Sequence, residues 1–386
     1  MGLFDIFTKK KDKGVEVSIV SKENEEDKFD FSISLGNDAP PPLEELLKDA
    51  IPSKNGLYPH EILMLDYANT YKVSGDNHFQ GFWLYQYSVK EPQAVLKSLY
   101  DKGFITEGGL QETLNRLTLP VLKEELKSLG LKVSGKKSDL VDRLLESDAV
   151  ASLEDKYSKE KLYKPTDMGK QELEDNAYVH YIHRKNYLSI WELNKMLADK
   201  PGYSYRDVLW GYFNEQSIVH FKKYNFGLYR NTRLDMYEFL MEESKHKAAF
   251  SLLCEVISYD LSGLHNNEDS MFEWEKNKPE VFCRFYEMRL ESFFPYGKSG
   301  LFLAPAVIQW LGDMQGILGL SDDDFKVALL NEISNVNPPR RVFTSEEIVD
   351  IVLAGISNDE ETLTEIFAIA EQRERAKLEK LKSSLK

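Results

Sequence analysis

The sequence predicts a mainly α-helical chain, with a compact helical hairpin in its first half and a run of helices in its second. Three observations lead there. From Leu57 onward apolar residues recur at spacings of three and four; prolines stand at helix starts and glycines just past helix ends; extended stretches are confined to a few residues. With 386 residues, 42% of them hydrophobic, and 21 Phe, 20 Tyr and 5 Trp, the chain can build two or three cored domains, which excludes global disorder.

The formal charge is −15, from 49 Lys and Arg against 64 Asp and Glu, which excludes a wholly basic nucleic-acid coat. It leaves room for a small local basic surface. Two cysteines, Cys254 and Cys283, cannot supply a disulfide framework or a zinc ribbon, and they suit a reducing, cytoplasmic setting. No secretory signal is expected, because apolar Leu3, Phe4, Ile6 and Phe7 precede Lys9, Lys10, Lys11 and Lys13 instead of following them. Ile6 stands where an N-myristoylation motif wants Ser or Thr. The most apolar stretch, Leu301 to Leu311, holds Pro305 and Gln309 and is shorter than the roughly 20 residues of a membrane span. No stable membrane insertion is expected; the opening turn and its lysines make at most a marginal lipid contact.

Residues 1–42 read as an N-terminal segment and flexible linker, with lysines, then Glu23, Glu25, Glu26 and Asp27, then Pro40, Pro41 and Pro42. Phe29, Phe31, Ile33 and Leu35 alternate with polar residues and can pair as one strand. Pro59 opens a helix carrying Ile62, Leu63, Leu65 and Tyr67; an aromatic segment runs from Phe79 to Tyr87; Pro92 opens a third helix with Val95, Leu96 and Leu99, which Gly103 ends before Phe104 and Ile105 extend. Leu162, Tyr163, Lys164, Pro165 and Thr166, followed by Gly169 and Leu173, complete the pattern much later. Three short helices, an extended pair and this ending resemble a winged-helix domain, here spanning 43–175, with residues 106–161 inserted in its wing. A plain helical packing module is the competing reading. The resemblance implies that the segments at Ile105 and Tyr163 pair as antiparallel strands.

The sharpest pattern lies inside that insertion, at 117–147. Thr118 can cap a helix with Pro120 in its first turn, and Leu119, Leu122, Leu126 and Leu129 share one face. Gly130 can end it in the left-handed conformation, with Leu131 folding back. Ser134 then caps a second helix whose apolar face is Leu140, Val141, Leu144 and Leu145. Helix, turn and helix, with Leu122-Lys123-Glu124-Glu125-Leu126, Gly130-Leu131, Ser134-Gly135, Lys137, Leu140 and Arg143-Leu144 in place, resemble the SAP domain, a small DNA-binding helical hairpin.

Charge supports that resemblance. The segment carries six Lys and Arg against five Asp and Glu, a net of +1 in a chain of −15. Lys136 and Lys137 fall in the first turn of the second helix, where the helix dipole disfavours cations, a placement suited to a docked anion. Lys123, Lys127, Ser134, Gly135, Lys136, Lys137 and Arg143 are therefore the candidate DNA-binding residues. They offer phosphate contacts and no array for reading base edges, so weak, salt-sensitive binding to double-stranded DNA is expected. A solvated charged face on a packing hairpin is the bland alternative.

Residues 176–370 read as a helical domain with turns at Pro201-Gly202, Gly227, Gly263 and Pro295 to Gly300. Around Met236 to Asp260, Ala248-Ala249 lies between apolar runs and resembles one tetratricopeptide-type helical pair, although the 34-residue period does not recur. Several sites fail on inspection. Gly297-Lys298-Ser299 echoes a P-loop, but Ser292 stands where the first glycine belongs. His180 and His183, with His220, are better explained by aromatic packing than by a metal. Glu255, Asp260, Glu273 and Glu275 with Lys276 lack the compact arrangement of a nuclease site. The loop Asp260 to Asn267 looks pocket-like without identifiable chemistry. A basic terminal helix, 371–386, carries Leu378, Leu381 and Leu385 on one side. No catalytic residue, metal ligand or cofactor is nominated. The function expected is a non-enzymatic DNA-binding adaptor whose helical domain takes a protein partner; the alternatives are a nuclease-like enzyme and a protein-binding scaffold without DNA affinity.

Overall fold

The computed structural model describes residues 40–298 and 305–385. The expected strand at Phe29 to Leu35, the apolar opening turn and Ser299 of the P-loop echo lie outside these residues. Among the described residues there are twenty helices and one two-stranded sheet. They form two compact units, one ending at Tyr205 and the other beginning at Arg206.

The first unit runs α1 (Leu43–Asp49), α2 (Pro59–Tyr67), α3 (Phe82–Tyr85), α4 (Pro92–Asp101), β1 (Ile105–Glu107), α5 (Leu110–Arg116), α6 (Leu119–Ser128), α7 (Lys137–Leu145), α8 (Val150–Lys156), β2 (Tyr163–Pro165), α9 (Asp167–Asp175), α10 (Ala177–Lys185) and α11 (Ile190–Asp199). Helix α2 is its centre. Pro59 through Leu65 are all buried, and α4, α9, α10 and α11 all pack against this helix. A helix covered all round needs little amphipathicity, only apolar residues on every face. The domain boundary expected at 176 therefore moves to 205. Helices α10 and α11 bury Tyr178, Val179, Ile182, Ile190 and Leu193, and both pack on α2.

Proline and glycine punctuation accounts for the ends of these helices. Pro59 and Pro92 open α2 and α4. Gly103, at φ +80, closes α4: its amide donates to Tyr100 O at 3.0 Å and the Phe104 amide to Leu99 O at 3.0 Å, which satisfies two terminal carbonyls. The chain then enters β1, which pairs antiparallel with β2 in the register Ile105 to Pro165, Thr106 to Lys164 and Glu107 to Tyr163. Lys72 adds an antiparallel bridge to Leu162. The pairing expected of the segments at Ile105 and Tyr163 is present, and everything from α5 to α8 is inserted between the two strands.

The second unit holds α12 (Tyr205–Lys222), α13 (Phe226–Glu242), α14 (His246–Asp260), α15 (Asp269–Asn277), α16 (Pro279–Lys298), α17 (Pro305–Leu318), α18 (Asp322–Asn335), α19 (Ser345–Ser357) and α20 (Glu360–Ser384). Its core gathers Phe226, Leu253, Ile257, Phe294, Leu329 and Phe367. Ala249 is buried in that core, whereas Ala248 faces solvent. The expected separate terminal helix at 371–386 is the second half of α20, which packs along α16. Leu378 is buried, and several of the basic residues are paired within the fold, among them Arg373 with Glu347 at 2.6 Å and Lys382 with Glu287 at 2.8 Å. No described helix is long and apolar enough to cross a membrane.

This packing has two testable consequences. A Cβ on Gly169 would collide with Phe104 O, part of the backbone that α9 is already docked on. Gly169→Ala should therefore cost about 3 kcal/mol by overpacking; an unchanged urea midpoint would show that α9 can shift freely. His60 is buried on α2, and its pKa falls from 6.5 to about 4. Burial is the main cause; Glu61 pulls the other way and Lys102 adds to the fall. The unfolded chain then binds a proton that the folded chain does not, so stability is full above pH 6.5 and falls as pH drops toward 4. Between pH 7 and 5 this group alone removes about 2 kcal/mol. His60→Phe should show that much less loss over the same interval in denaturant unfolding, and equal slopes for the two proteins would refute the assignment.

Candidate nucleic-acid interface

Helices α5 to α8 close around a core of their own: Leu110, Leu114, Leu122, Leu126, Leu140, Val141, Leu144 and Leu153. The expected two-helix hairpin is thus the middle of a four-helix module. A pair of ten- and nine-residue helices hides too little apolar surface alone, and α5 and α8 supply the remainder. This explains a difference within the predicted leucine face. Leu122 and Leu126 are fully buried, but Leu119, at the start of α6, and Leu129, just past its end, stay exposed.

Local geometry holds the hairpin in place. Gly130, at φ +69, ends α6: its amide donates to Lys127 O at 3.1 Å and the Leu131 amide to Leu126 O at 2.8 Å, the same closure as at Gly103. Glu125 is buried beneath α8, where it accepts from Lys156 at 2.5 Å and Tyr157 at 2.8 Å. Burial pushes its carboxyl up, but these hydrogen bonds outweigh burial and hold it below the ordinary value.

The start of α7 differs from the expected one. Ser134 is not the cap; Lys136 is, and the helix begins at Lys137. No side chain of the cap residue closes the turn. Instead the Asp139 carboxylate accepts the Lys136 amide at 3.0 Å. Gly135, at φ +133, turns the chain into the helix, and a Cβ there would meet Asp139 Oδ2 at 2.9 Å. Asp139 thus places a negative charge at the dipole's positive end, so the two lysines are less anomalous there than their position in the sequence implies. The first intrahelical bond runs from Leu140 N to Lys136 O, which leaves the amides of Lys137, Ser138 and Asp139 outside the helical ladder.

The seven candidate residues separate into three groups. Lys123, Lys127 and Lys136 are exposed, as is Lys132, and none of these four side chains makes an ion pair or hydrogen bond among the described residues. Lys137 and Arg143 have structural partners. Lys137 donates to Asn115 O at the end of α5, at 2.7 Å. Arg143 donates to Lys132 O and, at 3.4 Å, to Ser134 O, so it fastens the connection between the two helices. Ser134 and Gly135 lie exposed in that connection. Sequence reasoning does not single out Lys132, because its loop position carries no helical register; its charge alone is the signal that marks it.

The other sites considered in the sequence are engaged. His180 Nδ1 bonds Asp66 at 2.6 Å, while His183 sits between Tyr67 OH at 2.9 Å and Tyr87 OH at 2.6 Å. His220 is buried in the other unit. Arg230 clamps Asp260 with two bonds of 2.7 Å, Arg233 meets Glu255 at 3.3 Å, and Arg340 holds Glu275 at 2.7 Å. The loop after Asp260 is a latch: Asn266 accepts the Leu228 amide and the Asn267 amide donates to Asn225, both at 2.9 Å. Among the described residues no group of three or more His, Cys, Asp or Glu is placed to hold a metal ion.

Arg143 therefore has a checkable structural role. Arg143→Met keeps the stem and removes both carbonyl bonds, so amides of residues 131–136 should exchange with deuterium faster while the buried Leu140 region is unchanged. Equal exchange in the connection would mean that the arginine head does not hold it.

No match to the chain was found among curated proteins. One family model does match, within the helices just described: residues 113–149 match the SAP domain.

Proposed function

We propose that this chain is a non-enzymatic adaptor that binds duplex DNA through its SAP module and a protein partner through its remaining helices. The observation that carries the reading is the SAP match together with unpaired, exposed lysines at 123, 127, 132 and 136. Such side chains contact phosphates, which position a protein on the duplex without reading its sequence. An overall charge of −15 repels DNA elsewhere, so binding is weak at physiological salt unless a second contact or a partner adds to it.

The elements around the module support a winged-helix reading of the flanking chain. α2, α3, α4, β1 and β2 occur in that order, and an isolated antiparallel bridge from Lys72 to Leu162 adjoins the start of β2. The exposed side of α4 offers Gln93, Ala94, Lys97, Tyr100 and Asp101, with one charge of each sign. That surface suits a protein better than a phosphate backbone, which favours the adaptor over a second DNA contact. The nuclease-like alternative is weakened by the arginines that occupy Asp260, Glu255 and Glu275. The cytoplasmic assignment belongs to the same proposal and rests on Cys254 and Cys283, both buried free thiols.

Fluorescence anisotropy with one duplex across a salt series tests the DNA contact. The full chain should give a log–log slope of about −3 to −4, and Lys132→Glu with Lys136→Glu should flatten it by about 1.8, since each phosphate released from the interface accounts for about 0.9. These two lysines are chosen because neither ammonium holds the fold. Coincident curves would remove the hairpin as the DNA site and favour a protein-binding scaffold.

A further inference from the structure

An open cleft of about 470 Å³ lies in the first unit, walled by the turn after α1, the α9–α10 junction and the end of α11. Ile51, Leu197 and Tyr203 give it an apolar side, and Ile51 and Tyr203 remain 51% and 66% exposed. A smaller cavity of about 170 Å³ adjoins it, since Asp175 and Asn176 line both. Large apolar side chains left open at a concave surface are what a docked segment covers.

The fold leaves two buried groups in these walls incomplete. Glu172, 1% exposed, lines the small cavity, and its partners are the neutral amides Asn55 Nδ2 at 2.7 Å and Asn176 Nδ2 at 3.1 Å. Those bonds tie the turn between α1 and α2 to α9, yet they leave a buried carboxylate without a cation. Asp175 accepts a hydrogen bond from another neutral amide, Gln171 Nε2, at 2.9 Å. Glu174, which lines the larger cleft, makes no ion pair or hydrogen bond among the described residues. Lys54 also lines the small cavity and forms no ion pair with any of the three.

Tyr178 is the second incomplete group. It is 7% exposed and lines the larger cleft, where its hydroxyl accepts from Asn194 Nδ2 at 2.9 Å. Asn194 Oδ1 is already taken by the Ile51 amide at 2.8 Å. The phenol proton therefore has no acceptor among the described residues. Burial pushes this phenol up to about 12, so the proton stays in place as a donor.

We propose that this cleft binds an extended protein segment carrying an arginine beside a bulky apolar residue. The guanidinium meets the carboxylates of Glu172, Glu174 and Asp175, the apolar side chain covers Ile51 and Tyr203, and a backbone carbonyl accepts the Tyr178 proton. A planar, forked guanidinium suits a group of carboxylates better than an ammonium does. The same three acids repel a phosphate backbone, so the occupant is a protein and not a nucleic acid. This rests on the partner half of the adaptor reading and is independent of its DNA half.

The test is an amide chemical-shift titration of the full chain with acetyl-leucyl-arginine amide and with its citrulline counterpart, which keeps the shape and loses the charge. The arginine peptide should give saturable shifts at residues 51–53, 174–178 and 194–198. Binding should be roughly tenfold weaker for the citrulline peptide, and for the arginine peptide on Glu174→Gln/Asp175→Asn protein, as charge-assisted hydrogen bonds are lost. Both substituted side chains are exposed, so the melting curve of the variant should match wild type. Equal affinities for the two peptides, or no shift in the cleft, overturn the proposal. Shifts gathered on the exposed side of α4 instead overturn it and leave the partner reading standing, whereas no shift at either surface counts against both. Duplex anisotropy on the same samples reads the DNA half separately and should not change with peptide or variant.

Discussion

Antiparallel pairing of Ile105–Glu107 with Tyr163–Pro165 is the constraint on which the first unit depends. It brings together segments far apart in the chain, so the long intervening stretch leaves and returns at nearly one point. Both neighbours of the sheet use that closure. On one side Gly169 lets α9 approach the Phe104 carbonyl, and Thr166 fixes the same corner with its amide on Phe104 O at 2.9 Å. On the other, Lys164 pairs with Glu112 at 3.2 Å, and the Gly108 amide continues the ladder to Leu162 O at 2.7 Å. The inserted helices carry a core of their own.

That separation of cores explains how an acidic chain can present a cationic surface. Elsewhere in the described residues many of the cations that bear on the fold are neutralised close by, as Arg230 is by Asp260 and Arg373 by Glu347. In the inserted module the acids that matter structurally face inward or toward backbone: Glu125 under α8, Asp139 on the Lys136 amide, Glu112 on the Gly109 amide. The lysines beside them keep their charge for solvent or a ligand. A two-strand attachment also lets the module be read as a unit added to its host without disturbing the host's packing.

Much of this is legible in the sequence where local chemistry decides the outcome. Gly103 and Gly130 close their helices as their positions imply, Pro59 and Pro92 open theirs, and the leucine spacing locates the hairpin. What stays hidden depends on contacts between distant residues. The ends of the leucine face look as buried as the middle, since nothing local says that Leu119 and Leu129 are left uncovered. Ser134 looks like a cap because Ser is a good one; the carboxylate of Asp139 and the turn at Gly135 move the cap two residues on. The boundary at 176 fails for a related reason: α10 and α11 carry the same apolar spacing as the helices after them, and only their burial on α2 assigns them to the first unit. Arg143 and Lys137 read as candidate phosphate ligands from charge alone; that each also holds a backbone carbonyl is not visible in the sequence.

The central claim is that the inserted module is a separable DNA-binding unit set between two paired strands. It is tested most directly by replacing residues 109–160 with a short Gly-containing turn that joins Gly108 to Lys161, so that β1 and β2 become a plain hairpin. Helical circular dichroism and a cooperative melt report whether the remaining chain folds, and anisotropy on the same sample reports duplex binding. The account predicts a folded protein that no longer binds DNA. Duplex binding that survives the replacement in a folded protein would contradict it.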